Sequence, residues 1–254
     1  MRNKDILIHL HMPKSGGTTL KNIIKNNYPP KAYFDVYQDE KQREHTLEAL
    51  CKEDVLCIQG HFPFGVHKYF STPSTYITLL RNPIQRVISE YFFIKNNPRH
   101  NLYQLVNNTS LEDYQQQEQN KNLQTRLLSG QIGCPLTDLD LEQAKVNMQA
   151  YFSVVGITEM FNESLYLMKE KFNWKNIQYT KQNITKKKPT IEQLPASTIQ
   201  SIKTNNHFDI KLYQFAKQLL IQDIHHLPSK SKKELYSFRQ NPSSSRQNKR
   251  NGYL

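Results

Sequence analysis

The fold is decided by the stretch Leu10-His11-Met12-Pro13-Lys14-Ser15-Gly16-Gly17-Thr18-Thr19-Leu20. It follows the apolar run Ile6-Leu7-Ile8 and leads into a helical pattern, so it predicts a strand, a glycine turn and a helix. Two adjacent glycines let backbone N–H groups converge on an anion, and the helix N-terminus adds its dipole. Lys14 at the mouth of the turn, with the hydroxyls of Thr18 and Thr19, completes a predicted phosphate cradle.

The order of lysine and glycine distinguishes this turn from the loop that binds nucleoside triphosphates. In that loop the lysine follows the last glycine, and a serine or threonine after it holds magnesium. Here Lys14 precedes Gly16 and Gly17. The order therefore points to a phosphorylated donor that is handled without a metal ion.

Length and charge limit the classes of protein that fit. The chain has 254 residues and a formal net charge of +12, which favours one α/β domain over residues 1–228 and anionic ligands. Residues 229–254 hold seven Lys or Arg residues and one acidic residue, and their composition predicts a basic, disordered tail. The sequence matches no helix-turn-helix, zinc-finger or RNA-binding pattern, so we expect no nucleic-acid partner.

The cysteines and the hydropathy pattern bear on location. Cys51, Cys57 and Cys134 form no CxxC pair, so they predict neither a zinc site nor a disulfide framework. No stretch is apolar enough for a membrane span, and the chain starts with a strand rather than a signal peptide. These features predict a reduced, cytoplasmic protein; they do not predict its oligomeric state.

Strands alternate with helices along the chain. Apolar runs predict strands at about 5–12, 55–58, 75–80, 152–157 and 177–179, with helices at about 18–27, 84–95, 159–172, 191–204 and 207–222. Such alternation is typical of an α/β fold with a central parallel sheet and helices on both faces, a three-layer P-loop-like arrangement. Ligands bind such sheets at the carboxyl ends of the strands.

Three predicted strands end in polar clusters. They are the glycine turn, the segment Gly60-His61-Phe62-Pro63-Phe64-Gly65, and the segment Leu80-Arg81-Asn82-Pro83-Ile84-Gln85-Arg86-Val87-Ile88-Ser89. Because carboxyl ends of parallel strands meet at one edge, we expect Lys14, His61, Arg81 and Ser89 to converge there. One ligand with two well-separated phosphates could contact both the turn and the Arg81–Ser89 pair.

These segments resemble sulfotransferases that use 3′-phosphoadenosine 5′-phosphosulfate (PAPS). Pro13 to Thr19 is similar to the 5′-phosphosulfate loop of the carbohydrate branch that includes heparan sulfate 2-O- and 6-O-sulfotransferases, and Leu80 to Tyr91 is similar to its 3′-phosphate motif. The resemblance runs in order through residues 5–222. Asn82 departs from it, since aspartate is common there, and we expect that position to be structural. Animal members of this branch are often membrane-anchored in the secretory pathway.

The resemblance implies a role for each residue of the converging set. Lys14 would stabilise the leaving phosphate, and Ser15, Gly16, Gly17, Thr18 and Thr19 would hold the 5′-phosphate. Arg81 and Ser89 would hold the 3′-phosphate. His61 would be the general base, since its ordinary pKa of about 6.5 lets it accept a hydroxyl proton near neutral pH. A late basic loop would close over the nucleotide with Asn183 and Lys186.

The predicted reaction is in-line transfer of the sulfuryl group from PAPS, as co-substrate and with no metal, to an acceptor hydroxyl, which the resemblance suggests is on a saccharide. Two alternatives remain open at this point. A P-loop nucleotide kinase would need magnesium and an acidic strand end, and a non-catalytic anion- or glycan-binding module would need no base.

Three further residues are candidates with less defined roles. Arg126 could serve the donor or the acceptor, His67 could face the acceptor cleft, and His11 is expected to be packed.

Overall fold

A computed structural model describes residues 5–133, 135–179 and 188–240. Its centre is a sheet of five strands, β1 (Ile6–Leu10), β2 (Tyr33–Asp35), β3 (Cys57–Gly60), β4 (Ser74–Leu80) and β5 (Phe152–Ile157). All pairs are parallel, and the strand order is β2-β3-β1-β4-β5. The predicted α/β fold class, with a parallel sheet covered by helices, is confirmed.

Eleven α-helices connect and cover the strands in the described part of the chain. They are α1 (Gly17–Lys25), α2 (Glu40–Leu50), α3 (Pro83–Lys95), α4 (Tyr103–Asn107), α5 (Leu111–Gln116), α6 (Leu123–Ser129), α7 (Asp138–Tyr151), α8 (Phe161–Phe172), α9 (Ala196–Asn205), α10 (His207–His226) and α11 (Ser229–Gln240). All five residues of β1 are buried, as expected for a central strand with helices on its faces. A second apolar cluster joins α3, α5 and α9 through Tyr91, Tyr114 and Ile202.

The edge strand β2 lies in a region where the sequence predicts irregular structure. With three residues, it is too short to show an alternating pattern of burial. Its place is fixed by β3, because Gly60 lets the two segments approach closely. A Cβ atom on Gly60 would lie 1.7 Å from the carbonyl oxygen of Val36.

Two predicted elements differ from the structure. Residues 177–179 form no strand; Tyr179 instead packs its ring on Phe161 and donates a hydrogen bond to Asn162 Oδ1 at 2.6 Å. Residues 229–240 form helix α11 rather than the start of a disordered tail, because the helix buries Leu235 and pairs Arg239 with Glu163 at 3.0 Å. Residues 241–254 lie outside the described residues.

A buried polar cluster joins the start of α6 to the start of α10. Asp209, which is fully buried, accepts hydrogen bonds from the backbone N–H groups of Gln124 and Thr125 and from the Thr125 hydroxyl, at 2.7–3.1 Å. A carboxylate at a helix N-terminus satisfies donors that the helix leaves unpaired. Desolvation raises the pKa of Asp209, although Arg86 and these donors oppose the shift. The cluster fixes the position of Gln124.

We predict that Gly60→Ala destabilises the protein by about 1–3 kcal/mol, because the added methyl group must displace the backbone of Val36. The matched control is Gly133→Ala, whose methyl group would meet no described atom within 4 Å. The control should stay within about 0.5 kcal/mol of the parent. Urea unfolding measures both, and equal stabilities of the two variants would contradict the proposed close approach of β2 and β3.

Candidate active site

The glycine turn takes the conformation that its sequence predicts. Gly16 has a φ angle of 78°, and Lys14 is left-handed at 61°. Helix α1 begins at Gly17, where a Cβ atom would lie 1.9 Å from Nε2 of His11. The turn therefore places the N-terminus of α1 against the cleft, and the dipole at a helix N-terminus favours anions.

The residues predicted to surround the 5′-phosphate do not all lie in the same environment. Lys14, Gly16, Gly17, Thr18 and Thr19 line the cleft above the turn. Ser15 is fully buried, and its hydroxyl contacts only the carbonyl oxygen of Pro13, at 3.5 Å, among the contacts recorded for described residues. Ser15 therefore does not line the cleft.

Lys14 is a partly desolvated cation. Its Nζ lies 3.5 Å from the centroid of the Phe93 ring, a short cation–π contact. Burial lowers the pKa of Lys14 to about 8, while Glu90 opposes the shift. The ammonium group is still mostly charged at pH 7.

Arg81 connects the end of β4 to the glycine turn. Its Nη1 donates to the carbonyl oxygen of Lys14 at 2.8 Å, and the Gln124 side chain pairs with both backbone groups of Arg81, at 2.9 and 3.0 Å. The buried Nε of Arg81 has no hydrogen-bond partner among the described residues. A buried guanidinium N–H without a partner is costly, so this donor suits an anionic ligand.

Ser89 and Glu90 face the same cleft from α3. Asn82 is the N-cap of this helix, since its Oδ1 accepts hydrogen bonds from the N–H groups of Ile84 and Gln85. The expectation that Asn82 is structural is consistent with this cap. Arg86, fully buried, pairs with the Glu90 carboxylate at 2.5 Å and so offsets its negative charge.

His61 lies at the end of β3 on the opposite side of the turn from Arg81. Its Nδ1 is 2.6 Å from the carbonyl oxygen of His11. A carbonyl oxygen only accepts, so Nδ1 carries the proton and Nε2 of the neutral ring is left as an acceptor. Desolvation by the neighbouring groups lowers the pKa of His61, which keeps the ring neutral at pH 7.

These strand ends enclose one cleft of about 670 Å³. Lys14, His61, Arg81 and Ser89 all line it, as the sequence predicts. Lys188 adds a further cation, and Phe93, Leu102 and Phe161 supply apolar walls that the sequence did not single out. The cleft thus brings the glycine turn, the Arg81 guanidinium and Ser89 together with the neutral ring of His61.

The remaining candidate residues that the structure describes make contacts within the protein. Arg126 is buried and donates to the carbonyl oxygen of Lys121 and the carboxylate of Glu118, so it holds the 118–132 segment together. His67 contacts the Tyr76 hydroxyl at 3.0 Å and does not line the cleft described above. His11 is packed, as expected. Asn183 and Lys186 lie outside the described residues.

Gln124 and Asp209 are the positioning residues that motif reasoning missed. Both lie in segments that the sequence comparison with the sulfotransferase branch includes, but neither reaches the cleft wall. Gln124 holds the backbone of Arg81, and Asp209 holds the backbone of Gln124. A buried glutamine beside a buried aspartate is not distinctive in sequence, so only the fold reveals this chain of contacts.

Comparison with known proteins identifies several relatives. The chain is 25% identical over 277 residues to heparan-sulfate 6-O-sulfotransferase 1 of Homo sapiens, covering 87% of this chain and 67% of that protein. It is 25% identical over 265 residues to a heparin sulfate O-sulfotransferase of Drosophila melanogaster, covering 87% and 76%. Among solved structures, mouse sulfotransferase SULT7A1 complexed with PAP matches with a TM-score of 0.38 and 13% identity, over 95% of this chain and 86% of that one.

The expected cytoplasmic location is wrong. The relatives are named heparan-sulfate 6-O-sulfotransferases, and they fall in the branch whose animal members are often membrane-anchored in the secretory pathway. Within residues 5–133, 135–179 and 188–240, no helix combines the length and apolarity needed to cross a bilayer.

The sulfotransferase family matches residues 1–127, which is half of the chain. The matched half contains the glycine turn, His61, Arg81 and Ser89. It confirms the predicted enzyme class, a sulfotransferase with PAPS as its co-substrate. The chain belongs to the sulfotransferase family.

Proposed function

We propose that this chain moves the sulfuryl group of PAPS to a hydroxyl group of a saccharide, with His61 as general base. The observation that carries the proposal is the convergence of Lys14, His61, Arg81 and Ser89 in one cleft. The donor bears a phosphosulfate and a separate 3′-phosphate. The cleft offers two anion-binding regions that correspond to them, the glycine turn and the Arg81–Ser89 pair.

The donor would be held mainly by backbone and cationic groups. The N–H groups of the turn and the hydroxyls of Thr18 and Thr19 would bind the 5′-phosphate. Ser15 is fully buried and does not line the cleft, so it has no contact with the donor in this proposal. Arg81 would bind the 3′-phosphate, and its unpartnered buried Nε fits that role. Asn183 and Lys186 stay predictions for the loop over the nucleotide.

When bound, PAPS supplies the sulfuryl group and departs as 3′,5′-ADP. Lys14, beside the turn, stabilises the negative charge that grows on the departing phosphate. Nε2 of His61 takes the proton from the acceptor hydroxyl, because Nδ1 is occupied by the carbonyl oxygen of His11. Both groups are mainly in the required protonation state at pH 7, Lys14 charged and His61 neutral.

The proposed acceptor class rests on the relatives and on charge. The relatives are named for sulfation of heparan sulfate or heparin. The chain has a formal net charge of +12, which favours encounter with an anionic polysaccharide. A screen of labelled PAPS against heparan-type and neutral glycans tests the acceptor, and transfer to none of them would contradict a saccharide acceptor.

We predict that His61→Ala lowers kcat by roughly 10²–10⁴-fold, the usual contribution of a general base, and leaves the affinity for 3′,5′-ADP unchanged. The matched control is His45→Ala, which removes an exposed histidine of α2 that contacts the carbonyl oxygen of Lys41. Steady-state kinetics and calorimetric titration measure the two quantities. Unchanged turnover in His61→Ala would remove His61 as the base.

We predict a bell-shaped dependence of kcat/KM on pH for the donor. Activity falls on the acid side below pH 6.5, since the pKa of His61 is lowered from that ordinary value and protonation removes the acceptor on Nε2. It falls on the alkaline side around pH 8, because Lys14 loses its charge there. Lys14→Arg, whose guanidinium stays charged, should abolish the alkaline fall. The same alkaline limb in Lys14→Arg would show that another group titrates.

A further inference from the structure

Three contacts hold the His61 ring. The carbonyl oxygen of His11 binds Nδ1 at 2.6 Å, and the ring of His11 lies with its centroid 4.4 Å from that of His61. The ring of Tyr37 stands almost perpendicular to the His61 ring, at 76° and a centroid distance of 4.9 Å. Tyr37 is thus the one contact of the three that does not come from β1 or the residue after it.

Tyr37 is itself fixed from two sides. Its hydroxyl forms a hydrogen bond of 2.6 Å with Nδ1 of His11, and Nζ of Lys21 lies 4.6 Å from the centroid of its ring. Lys21 is anchored in turn by an ion pair of 2.8 Å with Asp35, in β2. Because Tyr37 follows β2 by two residues, the short edge strand determines where its ring stands.

His11 is a rigid support for the Tyr37 ring. It is 8% exposed, and its ring stacks on that of the fully buried His9 at a centroid distance of 5.3 Å. A Cβ atom on Gly17 would overlap the His11 ring, so α1 closes over it from above. The hydroxyl of Tyr37 is therefore bonded to a side chain that has no room to move.

We propose that Tyr37 is a positioning residue for His61, holding the imidazole so that Nδ1 stays on the His11 carbonyl and Nε2 faces the cleft. This inference rests on the proposed role of His61 as the base. The Tyr37 ring, nearly perpendicular to the imidazole with its centroid 4.9 Å away, limits rotation of the His61 ring.

The pKa of His61 depends on the charged and titratable groups around it. His9 and His11 face it from β1 and its end, Lys21 from α1, and Glu90 from α3. Burial lowers the pKa of His11 to about 2 and that of His9 to about 4, so neither changes charge between pH 5 and 8. Lys21 lowers the pKa of His61, and Glu90 raises it. Loss of the Tyr37 ring would leave the imidazole better solvated and raise the pKa of His61 toward its ordinary value.

The direct test is an NMR titration of the histidine ring nitrogens in the full chain, with Tyr37→Leu and Tyr37→Phe as variants. In the parent, His61 should titrate below pH 6.5 with the neutral proton on Nδ1. In Tyr37→Leu its midpoint should rise by roughly 0.5 pH unit, and both tautomers should appear. Tyr37→Phe keeps the ring but loses the bond to His11, so it should shift in the same direction by less. Tyr236→Phe, which changes an exposed tyrosine of α11, is the control and should not shift.

Kinetics separates positioning from general loss of structure. Tyr37→Leu should lower kcat by roughly 10–100-fold, as small misplacements of catalytic groups do, while KM for PAPS and the affinity for 3′,5′-ADP stay unchanged. Combined with His61→Ala, it should cause no further loss of kcat. An unchanged midpoint and tautomer in both Tyr37 variants would overturn the proposal. If those NMR changes occur but His61→Ala keeps full turnover, the assignment of His61 as base fails while the positioning by Tyr37 stands.

Discussion

The parallel hydrogen bonding of β1 to β3 on one side and to β4 on the other is the constraint on which the site depends. It pairs Leu10 with Gly60, and the next residue continues the ladder, since the N–H of His11 donates to the carbonyl oxygen of Gly60 at 2.9 Å. On the other side the Thr78 hydroxyl donates to the carbonyl oxygen of Leu10 at 2.8 Å. Three strand ends are thereby aligned within one residue or two, so their polar segments must share a single edge.

Alignment alone would leave Arg81 free to turn away, and a further set of contacts prevents this. The guanidinium binds the carbonyl oxygen of Lys14, Gln124 holds its backbone, and buried Asp209 holds Gln124. Asp209 lies beyond residues 1–127, which match the family, so the second half of the chain helps to hold Arg81 in the cleft. His61 is supported differently, by His11 of the turn segment and by Tyr37 beside the edge strand.

The parts of this arrangement that could be predicted from sequence are those with local signals. The glycine turn, the helix capped by Asn82 and the strands flanking them follow from apolar runs and turn residues, and they carry Lys14, Arg81, Ser89 and His61. The buried side chain of Ser15, the roles of Gln124 and Asp209, and helix α11 depend on contacts between distant segments, which no local pattern encodes. The sequence did not predict strand β2, because three residues at a sheet edge show no periodicity. The role of Tyr37, which follows β2, could not be predicted for the same reason.

The central claim is that the cleft binds a nucleotide through two separate phosphates. Calorimetric titration with 3′,5′-ADP, with 5′-AMP and with ATP plus magnesium tests it most directly. We expect 3′,5′-ADP to bind best without metal, and Arg81→Gln to weaken 3′,5′-ADP by roughly 10–100-fold while leaving 5′-AMP nearly unchanged. Preferential binding of ATP with magnesium, or an equal loss for 3′,5′-ADP and 5′-AMP in Arg81→Gln, would contradict the claim.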